Sequence, residues 1–180
     1  MIIGLTGTIC AGKSEIVKYL KSRGFECFVY SDILREEAKK RGIEPTRENL
    51  QKLGSAIKRE CSNNVLSRKI LERAKTDKSV VDGIRTPSEI KELKKADNFF
   101  LIGVDAPQRV RFKRLRKRAR EGDPEEFKKF KRIDNLENRG KTEGQQINKC
   151  LKMADFSIIN NGSLEELKRK ADDVLKRVSA

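Results

Sequence analysis

Residues 7–14 read Gly-Thr-Ile-Cys-Ala-Gly-Lys-Ser, and these residue types at this spacing suit the binding of a polyphosphate. Gly7 and Gly12 allow the backbone to turn and to approach phosphate oxygens, so that successive N–H groups can point at them. Lys13 can reach the β- and γ-phosphates of a nucleotide, and the Ser14 hydroxyl can bind Mg²⁺. The candidate cofactor-binding residues of this phosphate-binding loop are Gly7, Thr8, Ala11, Gly12, Lys13, Ser14 and Glu15.

The segments on either side of the loop support this prediction. An apolar run over residues 1–6 predicts a buried strand, and Ile16, Val17 and Leu20 mark one face of a following helix. That helix would direct its positive dipole end at the bound anion. The alternative is a glycine-rich turn with an incidental lysine. A chance match is expected in about one per cent of chains of this length, and the strand–loop–helix context lowers that figure.

The rest of the chain alternates between strands and helices, which predicts an α/β protein with a parallel sheet covered on both faces. Residues 31–78 differ, because they show only helical patterns between two strands. A helix at 107–120 ends at Gly122-Asp123-Pro124, and a charged helical segment continues to about residue 138. The predicted strands are 1–6, 26–30, 79–82, 99–104 and 156–159.

Carboxylates and arginines follow two of these strands, at the edge where parallel sheets bind ligands. Asp32 ends the second strand, before a helix predicted at 33–41, and could orient an acceptor or take a proton from its hydroxyl. Asp82 ends the third strand and could bind Mg²⁺ in the phosphate-binding loop. For both aspartates the alternative is to cap the next helix. Arg35, one turn after Asp32, suits an acceptor phosphate, and Arg85 is a further candidate at this edge.

The segment 109–120 carries eight basic residues among twelve. Arg114 and Arg118 lie one helical turn apart, so they can converge on one polyphosphate and offset charge on a migrating phosphoryl group. A solvated basic face is the alternative for most of the other basic residues. The residues expected to anchor this helix in the core are Val110, Leu115 and Ala119.

Composition narrows the classes of function. The chain has 180 residues, a formal net charge of +15, no histidine and four cysteines. Its length predicts one domain, and catalysis or metal binding by histidine is excluded. The scattered cysteines favour reduced thiols in a cytoplasmic protein over disulfides or a zinc site. We expect no signal peptide and no membrane span, since no apolar run approaches about 18 residues. The net charge of +15 is consistent with nucleic-acid binding, with binding of polyanionic small substrates, or with a lysine-rich surface that only contacts solvent.

Four motifs in this order give the chain a resemblance to the P-loop nucleotide kinases: Gly7–Ser14, Ser31–Arg35, Val81–Arg85 and Arg114–Arg118. The second and third are similar to motifs of adenylate kinases. The stretch from Val104-Asp105 through Ala154-Asp155 to residues 161–167 looks more like dephospho-CoA kinase. The whole chain also resembles archaeal predicted nucleotide kinases and the kinase-like region attached to some deoxycytidylate deaminases.

This resemblance implies a three-layer P-loop NTPase fold in a single domain, 1–180. A helical acceptor-binding insertion would span about 31–78, and a lid would span about 119–143. Two features depart from the family. Glu15 stands where these kinases commonly have threonine, and the insertion lacks the His-Pro element associated with dephospho-CoA kinases. A nucleoside monophosphate is therefore the first choice of acceptor.

The resemblance also divides the candidate residues between donor and acceptor. The arginines that would hold the acceptor are Arg35 and Arg85, and those that would bind donor phosphates are Arg114, Arg118 and Arg139. The turn Asn160-Asn161-Gly162 would lie against the donor adenine, and Asn161 is its candidate cofactor-binding residue.

Together these observations predict an ATP- and Mg²⁺-dependent phosphotransferase acting on a nucleotide-like small acceptor, first of all a ribo- or deoxynucleoside monophosphate. The catalytic candidates are Lys13, Asp32, Arg85, Arg114 and Arg118, and the metal-binding candidates are Ser14 and Asp82. The alternatives are a dephospho-CoA kinase-like activity, a nucleic-acid-associated ATPase or polynucleotide kinase, and a non-catalytic nucleotide sensor. We expect no membrane partner, and a monomer or small homo-oligomer.

Overall fold

The computed structural model describes residues 1–62, 64–74, 76, 78–120, 122–139 and 145–179. Within these residues the strands are β1 (Ile2–Gly7), β2 (Glu26–Val29), β3 (Ser79–Ile84), β4 (Phe99–Asp105) and β5 (Phe156–Ile159). They form one sheet in the order β2-β3-β1-β4-β5, and every neighbouring pair is parallel. The predicted α/β fold class is therefore confirmed.

Helices connect the strands and cover both faces of the sheet. They are α1 (Lys13–Ser22), α2 (Tyr30–Lys40), α3 (Arg47–Glu60), α4 (Val65–Arg73), α5 (Pro87–Leu93), α6 (Gln108–Arg118), α7 (Phe127–Arg139), α8 (Ile147–Lys152) and α9 (Leu164–Val178). Successive strand residues point to opposite faces. Val80 accordingly joins a core with α1 and α9, whereas Val81 joins one with α2, α3, α4 and α5. None of the described helices is long and apolar enough to cross a membrane.

Strand β3 carries a bulge beside Asp82. Leu5 of β1 lies opposite Asp82, but Thr6 lies opposite Ile84, so Gly83 is the extra residue. Gly83 has a φ of +90°, which glycine adopts without strain. The Thr6 hydroxyl donates a hydrogen bond to the Ile84 carbonyl at 2.9 Å and fixes the register beyond the bulge. Bulges of this kind redirect neighbouring side chains, here close to the carboxyl end of β3.

Helix α2 begins earlier than predicted. It starts at Tyr30 rather than at residue 33, and its N-cap is Val29, so Asp32 lies in the first helical turn. The buried Tyr30 hydroxyl forms a hydrogen bond with the Ser67 hydroxyl of α4 at 2.7 Å, so Tyr30 packs against the helical layer. The alternative role of Asp32 as a helix cap is therefore wrong.

Strand β3 continues past its predicted end at Asp82, as far as Ile84. The next helix, α5, is capped by Thr86, whose hydroxyl accepts a hydrogen bond from the Glu89 backbone N–H. The Glu89 carboxylate accepts one from the Thr86 backbone N–H in return, which completes a capping box. The alternative role of Asp82 as a helix cap is therefore wrong as well.

The buried side of α6 also differs from the prediction. Leu115 is buried and Val110 is half-buried, but Ala119 is exposed beyond the end of the helix with a φ of +46°. Arg111 takes the remaining buried position, with only 4% of its surface exposed. An arginine at this position was not expected in the core, because its partner Asp134 lies on a different helix.

The predicted insertion and lid correspond to identifiable helices. Helices α2, α3 and α4 occupy most of 31–78, of which residues 63, 75 and 77 lie outside the described part. Helix α7 lies within 119–143, of which residues 121 and 140–143 lie outside the described part. The assignment of these regions to acceptor binding and lid closure stays a prediction.

Candidate functional site

The phosphate-binding loop connects β1 to α1 at the carboxyl edge of the sheet. Gly7 has a φ of +144° and Gly12, the N-cap of α1, has a φ of +112°. L side chains rarely adopt either conformation. Cys10, between them, has a φ of +57°. Because α1 begins at Lys13, its positive dipole end faces the loop, as an anion site requires.

Gly7 provides a direct test of how closely the loop is packed. A methyl group at this position would lie 1.9 Å from the backbone carbonyl oxygen of Val104 on β4. We expect Gly7→Ala to lower the free energy of unfolding by about 3 kcal/mol or more, because steric overlap adds to backbone strain. The control is Gly24→Ala, where φ is +83° but no atom lies within 4 Å, so the loss should be about 1 kcal/mol. Urea unfolding measures both losses, and equal values would contradict the close packing.

Lys13 folds back onto its own loop. Its ammonium donates hydrogen bonds to the carbonyl oxygens of Gly7 and Thr8, at 2.7 and 2.8 Å. Burial lowers the pKa of Lys13 to about 8, while the charge of Asp82 opposes this shift and that of Arg85 adds to it. A cation whose charge is disfavoured by its surroundings gains from a bound anion. Lys13 is therefore placed to receive a phosphate.

The two residues after Lys13 lie in the first turn of α1. Ser14 is the second residue of the helix and is exposed. Glu15 forms an ion pair with Lys18 on the same helix, with 2.9 Å between the carboxylate and the ammonium. A direct contact of Glu15 with a nucleotide stays a prediction.

Asp82 is the chemically unusual carboxylate of the site. Among the described residues, its Oδ1 is the one buried side-chain oxygen or nitrogen without a hydrogen-bond partner. Burial raises the pKa of Asp82, and the charge of Lys13 and the Gly83 backbone N–H oppose that shift. A buried acceptor without a donor is unfavourable, and native structures rarely keep one without a reason.

The oxygen atoms that Asp82 and Ser14 offer are of a kind that suits Mg²⁺. A carboxylate oxygen with unused lone pairs and a serine hydroxyl are hard oxygen ligands of the kind that Mg²⁺ prefers. In the described part of the chain, no cluster of three or more acidic, cysteine or histidine side chains could hold a metal alone. Such an arrangement suits Mg²⁺, which usually takes one or two protein ligands and fills its other positions with waters and substrate phosphates.

Asn160, which the sequence analysis named only as part of a turn beside the donor adenine, lies against the phosphate-binding loop. Its side-chain amide donates to the carbonyl oxygen of Ala11 at 2.8 Å and accepts from Arg114 at 3.2 Å. A methyl group at Gly12 would lie 2.3 Å from the Asn160 amide nitrogen, so this contact also explains why glycine is needed there. Asn161 is exposed, and its role beside the adenine stays a prediction. Burial of one of two adjacent asparagines is a tertiary property that the sequence pattern does not reveal.

Arg114 and Arg118 have different partners among the described residues. Arg114 contacts Asn160 and, at 3.4 Å, the carbonyl oxygen of Ala11, so it borders the loop. Arg118 binds the carboxylate of Asp123 through hydrogen bonds of 2.7 to 3.1 Å. The convergence of both arginines on one polyphosphate therefore stays a prediction, and for Arg118 it requires release from Asp123. The side chain of Arg139 lies outside the described part of the chain.

Asp105 is a second residue that the sequence analysis left without a role. It ends β4, and its Oδ1 accepts hydrogen bonds from the Thr8 hydroxyl at 2.6 Å and the Ala106 backbone N–H at 2.8 Å. Asp105 thereby attaches the phosphate-binding loop to the neighbouring strand. Its position at the carboxyl end of a buried strand, the same signal that drew attention to Asp82, could have identified it.

The predicted acceptor residues lie at the ends of β2 and β3, which are neighbours in the sheet. Arg35 forms an ion pair with Asp32, 2.5 Å apart, and donates to the Ser31 hydroxyl at 3.0 Å. Arg85 is exposed, while its backbone is held by Glu89 and Gln146 at 2.8 and 2.9 Å. The structure therefore brings these residues to one edge, with Asp32 engaged by Arg35.

A known family and known proteins match most of this chain. Residues 6–131 match a family described as an AAA domain. A UPF0200 protein of Hyperthermus butylicus is 34% identical over 182 residues, which cover 99% of this chain and 95% of that protein.

Solved structures of kinases share the architecture. The dephospho-CoA kinase from Campylobacter jejuni superposes with a TM-score of 0.61 at 18% identity, covering 99% of this chain and 96% of that one. The shikimate kinase from Aquifex aeolicus superposes with a TM-score of 0.57 at 16% identity, covering 99% and 98%. At these identities the likeness concerns the fold, which is that of P-loop kinases.

Proposed function

The chain belongs to the UPF0200 family, and on that premise we propose that it transfers the γ-phosphoryl group of ATP to a nucleotide-like small molecule in the presence of Mg²⁺. The observation that carries the proposal is the position of Lys13. Its ammonium rests on two carbonyl oxygens of a loop whose backbone is shaped for phosphate, in surroundings that lower its pKa to about 8. The kinase fold of the structural relatives supports the same proposal of phosphoryl transfer.

The donor nucleotide would lie along the loop from Gly7 to Ser14. Lys13 would leave the carbonyl oxygens of Gly7 and Thr8 and bind the β- and γ-phosphates. Arg114, already at the loop through Asn160 and Ala11, would offset charge on the transferring group.

Ser14 and Asp82 would hold Mg²⁺ beside these phosphates, directly or through water. The ion would neutralise charge on the β- and γ-phosphate oxygens when bound. Asp82 supplies the oxygen that has no hydrogen-bond partner among the described residues.

The acceptor would bind at the ends of β2 and β3, through Arg35 and Arg85. In the transfer, an acceptor oxygen forms a bond to the γ-phosphorus as the bond to the β–γ bridging oxygen breaks, and ADP leaves. A phosphate acceptor is already anionic at neutral pH and needs no base. For a hydroxyl acceptor, Asp32 would first separate from Arg35, with which it forms an ion pair. Its carboxylate would then accept a hydrogen bond from the acceptor hydroxyl and take the proton.

A (deoxy)nucleoside monophosphate is the first choice of acceptor, and dephospho-CoA is the alternative.

The described cysteines, Cys10, Cys27, Cys61 and Cys150, are all free thiols. Free thiols fit a reducing compartment, which agrees with our proposal of a cytoplasmic enzyme.

A nucleic-acid-associated ATPase or polynucleotide kinase is a second candidate, favoured by the surface of α6. This helix contains no acidic residue, and the exposed cations Arg109, Lys113, Arg116 and Lys117 fall on neighbouring positions of its surface. Arg109 also lies 5.6 Å from the ring of Phe127. A continuous basic surface of this kind suits a phosphate backbone.

A panel of acceptors tests the proposal. ADP release from Mg-ATP is measured with each ribo- and deoxynucleoside monophosphate, with dephospho-CoA and with shikimate, and the panel is repeated with RNA. We expect one small acceptor to stimulate ADP release at least about tenfold and to give a product heavier by one phosphoryl group. Such a preference for one acceptor is typical of a site that forms hydrogen bonds with the polar groups of its substrate. Stimulation by RNA alone, weakening steeply with salt, would favour the second candidate. A flat panel with ATP still bound would indicate a nucleotide sensor.

A further inference from the structure

A buried ion pair joins α6 to α7. The side chains of Arg111 and Asp134 are 5% and 1% exposed, and both terminal nitrogens of Arg111 donate to the Asp134 carboxylate, Nη2 at 2.8 Å. The Gln108 amide donates to the same carboxylate at 2.7 Å. Burial raises the pKa of the Asp134 carboxyl, but the hydrogen bonds from Arg111 and Gln108 lower it by more. The pKa of Asp134 therefore lies below its usual range. The pair is therefore ionic at neutral pH.

The same guanidinium also contacts the phosphate-binding loop. Arg111 Nε donates to the carbonyl oxygen of Ala106 at 2.8 Å, and Nη1 approaches that of Ile9 at 3.4 Å. Ile9 belongs to the loop itself. Ala106 follows Asp105, whose carboxylate holds the Thr8 hydroxyl of the loop. Arg111 thus connects α7 to the loop both directly and through the end of β4.

These contacts give Arg111 a different role from Arg114. Every nitrogen of the Arg111 guanidinium already donates to a protein oxygen, and the group is buried, so it cannot bind phosphate without leaving the core. Arg114 is half-buried at the loop and keeps part of its surface accessible. Arg111 is therefore a positioning residue and not a catalytic one.

Packing alone does not require the ion pair. Helices α6 and α7 already meet through aromatic rings, with the centroid of Phe112 5.4 Å from that of Phe127 and 5.5 Å from that of Phe130. Buried ion pairs often add no stability compared with apolar side chains of similar volume. A charged pair whose arginine also binds a carbonyl of the phosphate-binding loop instead suits the transmission of a movement between loop and helix.

We propose that Arg111 and Asp134 couple the phosphate-binding loop to α7, so that a nucleotide in the loop fixes the position of this helix. The inference rests on the proposed function, since it requires a nucleotide at the loop. The movement would pass from Ile9 to the guanidinium and from there to Asp134 in the middle of α7. Helix α7 ends at Arg139, the residue that the resemblance to nucleotide kinases assigns to the donor phosphates.

Hydrogen exchange of Asp134→Asn tests the coupling. In the wild-type chain, Mg-ATP should slow amide exchange both in the loop and in α7. In Asp134→Asn, which keeps the shape of the side chain but weakens the pair, the loop should still be protected while the nucleotide-dependent protection of α7 is lost. ATP should bind about tenfold more weakly, the usual scale of coupling between sites.

The matched control is Asp172→Asn. Asp172 lies on α9, accepts a hydrogen bond from the Tyr19 hydroxyl at 2.6 Å and pairs with Arg23. This variant should keep the wild-type protection of α7 and the wild-type affinity for ATP. If Asp134→Asn does not fold, the double variant Arg111→Met/Asp134→Leu replaces the pair by apolar groups and should lose the same protection.

The outcomes separate the two proposals. Equal protection of α7 by ATP in the wild type and in the folded variant would overturn the coupling while leaving the proposed function intact. Protection of neither the loop nor α7 in the wild type would overturn the proposed function, and the coupling with it.

Discussion

Replacing Lys13 by alanine should abolish phosphoryl transfer while leaving the fold intact. The ammonium is the cation that the loop offers to the β- and γ-phosphates, and in the free protein it rests on the carbonyl oxygens of Gly7 and Thr8. We expect kcat to fall by about 10³-fold or more, the scale at which one charged group stabilises a phosphoryl-transfer transition state. Turnover with the acceptor found in the panel is the measurement.

The fold should tolerate Lys13→Ala because burial works against this charge. The pKa of Lys13 is lowered to about 8, so at neutral pH the folded protein holds the proton less tightly than the unfolded chain does. Removing the ammonium should therefore leave the free energy of unfolding unchanged or slightly higher. Lys21→Ala, at the exposed end of the same helix, is the control and should keep full activity. Wild-type turnover in Lys13→Ala would overturn the site assignment.

Local sequence patterns were sufficient to predict the fold. The strands are short apolar runs, and Ser163 and Thr46 cap their helices through side-chain hydrogen bonds. The errors have tertiary causes. Tyr30 has the pattern of a strand residue, yet it is the first residue of α2, and its hydroxyl forms a hydrogen bond with Ser67 on α4. Ala119 fits an apolar stripe, but the helix ends before it.

The candidate site was predictable only in part, for a related reason. Glycines and a lysine at fixed spacing specify the phosphate-binding loop, since its geometry is local. Asn160 contacts that loop from a distant part of the chain, and no spacing within the sequence predicts this contact. Asp105 could be recognised by its place at the end of a strand, but its hydrogen bond with Thr8 could not. Arg111 has the same property, because a buried arginine becomes recognisable only once Asp134 is known to face it.

Asp82→Asn should change activity and stability in opposite directions. Among the described residues, Asp82 Oδ1 is the one buried side-chain polar atom without a hydrogen-bond partner. Burial also disfavours the ionised form of the Asp82 carboxyl and therefore raises its pKa. A neutral amide of the same shape should therefore raise the free energy of unfolding of the ligand-free protein by about 1 kcal/mol.

The same substitution should reduce turnover by about 10²- to 10³-fold, because it removes the carboxylate proposed to hold Mg²⁺ beside the phosphates. The Mg²⁺ concentration for half-maximal turnover should rise, which a titration at saturating ATP measures. The control is Asp155→Asn, since that carboxylate binds Lys94 at 2.6 Å and the Leu101 backbone N–H at 2.8 Å. Asp155→Asn should lose stability and keep its Mg²⁺ dependence. An unchanged Mg²⁺ requirement in Asp82→Asn would contradict the metal role. A more stable and inactive variant would explain why the protein keeps a buried carboxylate oxygen without a hydrogen-bond partner among the described residues.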